Sequence, residues 1–406
     1  MAELPANLYL KKIGPHIFLP TIVTIWGIVT TFQGFITSYS GLIATRFFLG
    51  LVEGGLFPGI VLYLSTFYTR RELQLRIALF FSAASLSGAF SGLLAYGLIC
   101  LDGVGGRPGW AWIFIVEGLF TLVCGICGYF IIPATPTATR FLSARQKGLI
   151  VAKEILLQFR IISRRLARDT PMGAIDEQFS WCDVWASLKS PHVLFNSVTL
   201  FGSGTALYSL AYFQPTIVNS LGYDSNRAQL MSVPPFAVAF VVMMSTAYVS
   251  DLFEARGATT CGAAILGLKY GSLFLSVPGI YSIPPSLAAW LSNNSFGHYR
   301  KAVSIAIGFI CTNIGGILST WLFPNSDSPQ YRKATIINIS FSSIIVVFTL
   351  LNMCWLRYAN VQKRTKRDQL LDGYQLDTSD ASANSEESIR AWKELGDQHP
   401  DFIYAY

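Results

Sequence analysis

The stretch Arg46–Gly59, which reads RFFLGLVEGGLFPG, decides the fold class of this chain. It lies inside an apolar run from about residue 41 to residue 64, long enough to cross a bilayer as a helix. An ionisable side chain inside such a run costs about 2.5 to 3.5 kcal/mol, so it is expected to face a bundle interior or an aqueous cavity. Arg46 and Glu53 are about two helical turns apart and share one face. The stretch therefore predicts a polar path through a membrane protein.

Glycines in two apolar runs predict close packing between helices. Gly50 and Gly54 follow one another on the helix of Arg46 and Glu53. A second run, from about residue 77 to residue 98, carries Gly88 and Gly92 at the same four-residue spacing. Small residues repeated at this spacing let the backbone of a neighbouring helix approach. We therefore expect both helices to form close-packed interfaces.

The composition of the chain is that of a membrane protein. Hydrophobic residues make up 52% and charged residues only 13%, against about 25% charged residues in an average soluble domain. This indicates an all-α, polytopic protein with the lipid bilayer as its partner. The net charge of +7 is explained by basic cytosolic loops, so no nucleic-acid partner is expected.

The sequence carries no motif of an enzyme or a metal site. Cys124 and Cys127 form a C-x-x-C pair, but the second pair or the histidines of a zinc site are missing, and the pair lies in an apolar run. H-E-x-x-H, G-x-S-x-G and paired intramembrane aspartates are also absent from the sequence. We therefore expect neither catalysis nor a metal or other cofactor.

Charge and hydropathy divide the chain into four parts. We assign residues 1–132 to a first helical half, 133–190 to a cytosolic linker, 191–357 to a second helical half, and 358–406 to a cytosolic tail. In the linker, Ser143 and Gln146 form a capping box for an amphipathic helix that runs to about Arg168. Basic flanks place both termini in the cytosol. The end of the tail, Trp392–Tyr406, is expected to dock on the cytosolic face.

The length of the stretch Ala258–Trp290 leaves open whether it crosses the membrane once or twice. It is too long for one comfortable span and too short for two spans with a turn, and Pro278, Pro284 and Pro285 interrupt it. A single crossing would place the basic C-terminal tail outside the cell, against the positive-inside rule. We therefore infer two compressed or partly re-entrant segments, or a chain that has lost residues here.

Several polar residues in the apolar runs are candidates for a site, each with an alternative role. Tyr208 and Gln214 either line a cavity wall or act as interface anchors. Glu117 serves either as a coupling carboxylate or as an interhelical hydrogen-bonding group. Arg46 and Glu53 bind an anion and a proton, or form a structural ion pair.

Separate blocks of the sequence resemble the fungal anion:cation symporters of the major facilitator superfamily, the group of allantoate, nicotinate and pantothenate permeases. These blocks are Leu4–Lys12, Trp26–Thr30, Arg46–Gly59, Trp110–Gly118, Ser250–Gly257, Trp290–Asn294 and Leu395–Phe402. The resemblance implies a major facilitator fold, in which two helical halves surround a central cavity that opens alternately to each side.

The resemblance also implies roles for individual residues. Glu53 matches a carboxylate implicated in proton coupling, and Arg46 matches the arginine of the same helix. Asp251 and Arg256 match a loop motif thought to latch the cytosolic gate. Asn293 and Asn313, with Asn294, match asparagines of less settled role, and we include the first two among the substrate-binding candidates.

The sequence departs from this family at two places. It begins where the second helix should be ending, and residues are missing near Gly267–Tyr270, so we expect an incomplete fold with about nine or ten of the family's twelve helices. The expected function is proton-coupled uptake of a small organic anion, of the carboxylate vitamin or ureide type, by a plasma-membrane monomer. The alternative is a non-transporting fragment, acting as a receptor or regulatory partner of an intact carrier.

Overall fold

The computed structural model describes residues 3, 5, 6, 10, 13–68, 73–99, 101–133, 181–220, 225–253, 256–258, 260–262, 273–322, 332–371 and 386–405. The first half consists of α1 (Pro15–Gln33), α2 (Tyr39–Glu53), α3 (Leu56–Phe67), α4 (Leu73–Ile99) and α5 (Gly109–Ile131). The second half and the tail consist of α6 (Trp181–Lys189), α7 (Pro191–Ser220), α8 (Ser225–Phe253), α9 (Leu273–Asn294), α10 (His298–Ser319), α11 (Arg332–Thr365), α12 (Arg367–Leu371) and α13 (Glu386–Leu395).

The described part of the chain is built as a bundle of long apolar helices and contains no strand. Seven segments in it are long and apolar enough to cross a membrane, with α2 and α3 forming one segment, Tyr39–Ser65. Helices α4 and α9 add 27 and 22 residues, lengths of about 40 and 33 Å. The predicted all-α membrane fold is confirmed.

The glycine pair inside the decisive stretch divides it into two helices. Helix α2 ends at Glu53, the Gly54 N–H donates to the Gly50 carbonyl at 3.2 Å, and α3 starts at Leu56. A Cβ atom at Gly55 would lie within 3.0 Å of Ala6. Among the described residues, a Cβ atom at Gly50 would meet nothing within 4 Å, so the expected packing of Gly50 against a neighbouring helix is not found there.

The closest packing in the first half occurs instead between α1 and α5. Cβ atoms at Gly118 and Gly125 would lie within 3.0 Å of the backbone nitrogens of Thr31 and Thr24. Two helix backbones meet this closely only where one of them lacks side chains. Gly88 and Gly92 lie in α4, and their surroundings fall outside the described residues.

Helices α7 and α10 are packed in the same way in the second half. A Cβ atom at Gly204 would clash with the Thr312 carbonyl, and one at Gly315 with the Phe201 carbonyl. Each half therefore has one helix pair locked by glycines, and the second pair carries the polar residues described below.

Helix α9 (Leu273–Asn294) is continuous through the second part of the stretch Ala258–Trp290. Pro278, Pro284 and Pro285 lie inside it, so the expectation that they interrupt the helix is wrong. Packing by neighbouring helices offsets the loss of proline N–H groups within a bundle. Residues 263–272, which include the proposed gap at 267–270, lie outside the described residues, as does the linker helix expected from residue 143 to residue 168.

The end of the chain packs back against the second half, as expected from its sequence. The side-chain amide of Asn360 pairs with the Tyr404 backbone at 3.0 and 2.9 Å. That of Asn294 pairs with the Ala405 backbone at 2.9 and 2.8 Å, and the Trp290 indole N–H donates to the Ala405 carbonyl at 2.8 Å. The side-chain amides of Asn360 and Asn294 thus pair with two consecutive residues of the tail, Tyr404 and Ala405.

Charged groups complete this docking. Arg300 forms an ion pair with Asp397, and Arg367 pairs with Asp401 at 2.8 Å. The Lys363 ammonium donates to the Phe402 carbonyl at 3.0 Å. Phe402 is 1% exposed, so the tail end is held by burial as well as by polar contacts.

His399 occupies the centre of the docked segment as a neutral imidazole. Its ring stacks on Trp392 with centroids 3.8 Å apart, and its Nδ1 accepts the Asp401 N–H at 3.2 Å. Burial, together with the positive charges of Arg367 and Lys363, lowers the pKa of His399 to about 4. Protonation would remove the acceptor at Nδ1 and place a third cation in this cluster.

We predict that Gly118→Ala lowers the stability of the purified protein by about 1 to 3 kcal/mol, because the new methyl group meets the α1 backbone. Gly50→Ala is the matched control and should leave stability unchanged or slightly raised. Thermal unfolding in detergent, followed by size-exclusion chromatography, measures both. Equal midpoints for the two variants would refute close packing between α1 and α5.

We also predict that tail docking weakens in acid. Because the folded pKa of His399 lies below its unfolded value of about 6.5, docking is strongest above pH 6.5 and weakens as pH falls towards 4. The loss should reach about 2 kcal/mol at pH 5. Hydrogen exchange of the peptide spanning residues 386–405, corrected for intrinsic rates, measures it. His399→Asn keeps an acceptor without titrating, and an equally steep pH dependence in that variant would exclude His399 as the cause.

Candidate functional site

A polar cluster joins the half-buried Tyr208 of α7 and the exposed Asn313 of α10 to the buried Glu3. The Tyr208 hydroxyl donates to Asn313 Oδ1 at 3.1 Å. The Asn313 amide donates to the carboxylate of Glu3, which is 3% exposed. The second carboxylate oxygen of Glu3 is buried and has no hydrogen-bond partner among the described residues. An unpaired buried carboxylate oxygen is costly, so this cluster has spare capacity to bind a proton or a donor group.

Glu53 of the first half faces this cluster. The negative charges of Glu53 and Glu3 both act on the Tyr208 hydroxyl, as does the nearby Tyr281 hydroxyl. The ring of Tyr212 stacks on Tyr208 with centroids 5.8 Å apart. The site is therefore formed by both halves, with two carboxylates near a pair of stacked phenols.

Arg46 is held on the same helix as Glu53 without pairing with it. The Gln33 side-chain amide is oriented so that its oxygen faces Arg46. In this orientation the Gln33 oxygen accepts hydrogen bonds from Arg46 Nε and Nη2 at 2.9 and 3.0 Å. The guanidinium carbon lies 6.0 Å from the centroid of the Phe114 ring. In the described structure no nitrogen of Arg46 lies within 4.0 Å of a Glu53 oxygen, although the positive charge acts on that carboxylate at longer range. The structural ion pair is thus not formed, and the guanidinium remains available to an anion.

Three other candidates do not join the cluster. Asn293 is buried beside Asn294 at the end of α9, whereas Asn313 lies about 22 Å along α10 from its first residue, so the two asparagines are not brought together. The Glu117 carboxylate has no hydrogen-bond partner among the described residues, which argues against its interhelical role. The side chain of Gln214 lies outside the described residues.

Gln74 connects the two halves near the start of α4. Its Nε2 donates to Ser286 Oγ at 2.6 Å, and its Oε1 accepts from Ser250 Oγ at 2.6 Å and from Arg256 Nη1 at 2.7 Å. Gln74 belongs to α4, whereas the other three residues belong to the second half. One side chain therefore bonds across the interface to three others, and nothing in the sequence around Gln74 distinguishes it.

Asp251 reinforces this contact at the start of α4. Its Oδ2 accepts the Leu75 N–H at 2.8 Å, and its Oδ1 lies 3.3 Å from Arg256 Nη2. The first N–H groups of a helix have no partner inside the helix and favour a negative charge. Asp251 of α8 thus caps a helix of the opposite half, and the predicted gating residues Asp251 and Arg256 both lie at the interface.

The sequence pattern described as Major Facilitator Superfamily matches residues 1–320. The chain belongs to the Major Facilitator Superfamily. Members are transporters and not enzymes, so the chain is a multi-pass membrane protein that handles a small-molecule substrate. Within the described residues, no cluster of three or more His, Cys, Asp or Glu side chains is arranged to hold a metal ion.

Two fungal transporters resemble this chain in sequence, and a solved bacterial structure resembles it in fold. A transporter of Schizosaccharomyces pombe is 32% identical over 377 residues, which are 89% of this chain and 72% of that protein. The high-affinity nicotinic acid transporter of Saccharomyces cerevisiae is 28% identical, with 98% of this chain and 72% of that protein covered. The E. coli fucose:proton symporter shares the fold, with a TM-score of 0.57 at 12% identity and 87% of each chain covered.

We predict that Gln74→Ala loosens the contact between the two halves at the end of the bundle where α4 begins. A Ser82→Cys substitution places a thiol at a buried position, about 12 Å further along α4, in a background without the seven native cysteines. Because the variant loses a hydrogen bond to the charged Arg256 and two others, maleimide labelling should accelerate about tenfold or more. Leu79→Ala, an exposed position on the same helix, is the control and should have no effect. Unchanged labelling in Gln74→Ala would show that Gln74 does not hold this end closed.

Proposed function

We propose that this chain is a proton-coupled carrier of a small organic anion that works by alternating access. The proposal rests on Glu53, whose negative charge acts on the Tyr208 hydroxyl of the Tyr208–Asn313 pair in the other half, and on Arg46 in the same helix as Glu53. A site shared by two halves that move relative to each other is what an alternating-access carrier requires.

Arg46 is the group best suited to attract the anion. A guanidinium binds a carboxylate through a planar pair of N–H donors, and the Gln33 oxygen and the Phe114 ring orient it without neutralising its charge. The Asn313 amide and the Tyr208 hydroxyl provide further polar contacts on the opposite wall. Similarity to a nicotinic acid transporter supports a monocarboxylate substrate, of the vitamin or ureide type.

Glu53 and Glu3 are suited to bind the proton. An anion that enters a site with two carboxylates is repelled until one of them is protonated, so binding of the anion and of the proton are linked. Of the two, Glu53 is exposed within the bundle and belongs to the helix of Arg46, whereas Glu3 is already bonded to Asn313. We therefore assign coupling to Glu53 and a supporting role to Glu3, in a plasma-membrane monomer with cytosolic termini.

We predict that Glu53→Gln lowers proton-driven uptake of radiolabelled nicotinate about tenfold or more, because the amide cannot carry the proton. Exchange of labelled for unlabelled substrate at equal pH on both sides should persist, since it needs no net proton movement. Proteoliposomes with an imposed pH gradient measure both activities, and other monocarboxylates and allantoate form the rest of the substrate panel.

Glu117→Gln is the matched control: Glu117 is the other proton-coupling candidate, but among the described residues its carboxylate makes no hydrogen bond to the Tyr208–Asn313–Glu3 cluster, so uptake should stay within about twofold of the parent protein. Uptake by Glu53→Gln that still follows the pH gradient would remove the coupling role. Substrate binding without any uptake by the parent protein would favour the non-transporting receptor instead.

A further inference from the structure

Helix α9 bears two sets of contacts along one side. Ser286 Oγ accepts the Gln74 amide of the first half at 2.6 Å. Four and eight residues later, Trp290 and Asn294 bind the Ala405 backbone of the tail. Residues spaced by four lie on one helix face. The same side of one helix therefore contacts both the opposite half and the end of the chain.

The tail also binds the two helices that follow α9. Asp397 pairs with Arg300 at the start of α10, and the Tyr404 backbone pairs with Asn360 of α11. Trp290 is 0% exposed and Asn294 is 3% exposed, so the contacts at α9 are buried. The docked tail thus fixes the cytosolic ends of α9, α10 and α11 relative to one another.

We propose that the segment Trp392–Ala405 is a strap that holds α9 where Ser286 reaches Gln74, so that docking of the tail stabilises the closed cytosolic end. The proposal rests on the proposed function, because a closed end has a purpose only in a protein that alternates. Its physical basis is that any movement of α9 away from α4 independently of α10 and α11 breaks the buried bonds at Ala405. A contact present in only one of two states shifts the population towards that state.

The strap can be tested by measuring a distance across the cytosolic end. Spin labels on Ile131→Cys in α5 and Val361→Cys in α11, both exposed positions on opposite halves, report that distance in a background without native cysteines. Asn360→Ala removes both bonds to the Tyr404 backbone. We expect the population with the longer distance to increase about fivefold or more.

Gln369→Ala, which removes an exposed amide of α12 without a hydrogen bond in the described structure, is the control and should match the parent protein. Phe402→Ala disrupts the dock from the side of the tail and should act like Asn360→Ala, which guards against a defect confined to α11. Hydrogen exchange of the peptide spanning residues 386–405 shows whether the tail has left its site.

A released tail with an unchanged distance distribution, in either variant, would overturn the strap. Ser286→Ala breaks the contact of α9 with Gln74 without touching the tail. It should lengthen the distance between the labels while the tail remains protected from exchange. These distances need no substrate and no uptake. Strap-dependent distances in a protein that never transports would therefore refute the proposed function and leave the strap in place.

Discussion

The interaction on which the rest of the structure depends is the set of hydrogen bonds made by Gln74. In a bundle of apolar helices, hydrophobic burial alone gives the two halves little orientation, because lipid is as apolar as their surfaces. A buried amide that bonds to Ser286, Ser250 and Arg256 fixes one relative position of the halves. Because these bonds share one side chain, movement of Gln74 away from the second half weakens them together.

The candidate site lies between the halves that this contact aligns. Glu53 comes from the first half, and Tyr208 and Asn313 come from the second, so the charges near the phenol depend on how the halves are placed. The tail binds Trp290 of α9, the same helix whose Ser286 meets Gln74. In the proposed mechanism, substrate binding, gating and tail docking would therefore be linked through few elements.

Charges in an apolar run mark Arg46 and Glu53 as candidates, and the family resemblance marks Asp251; their roles in transport and gating stay predictions. Sequence reasoning failed at Gly50, which meets no neighbour among the described residues, because glycine spacing shows which helices can pack closely and not which ones do. It also missed Gln74, since an amide next to a basic loop is indistinguishable from a solvated one until its partners are known.

The sequence by itself determined the all-helical membrane fold, the family and the polar residues able to serve a transport path, since hydropathy and motif order are local properties of the chain. Only the tertiary structure decided that Arg46 bonds to Gln33 and not to Glu53, and that Glu3 enters the site. It also separated Asn293 from Asn313. These outcomes depend on which helix faces which, and that is set by the close approach of backbones and the pairing of buried polar groups far apart in the chain.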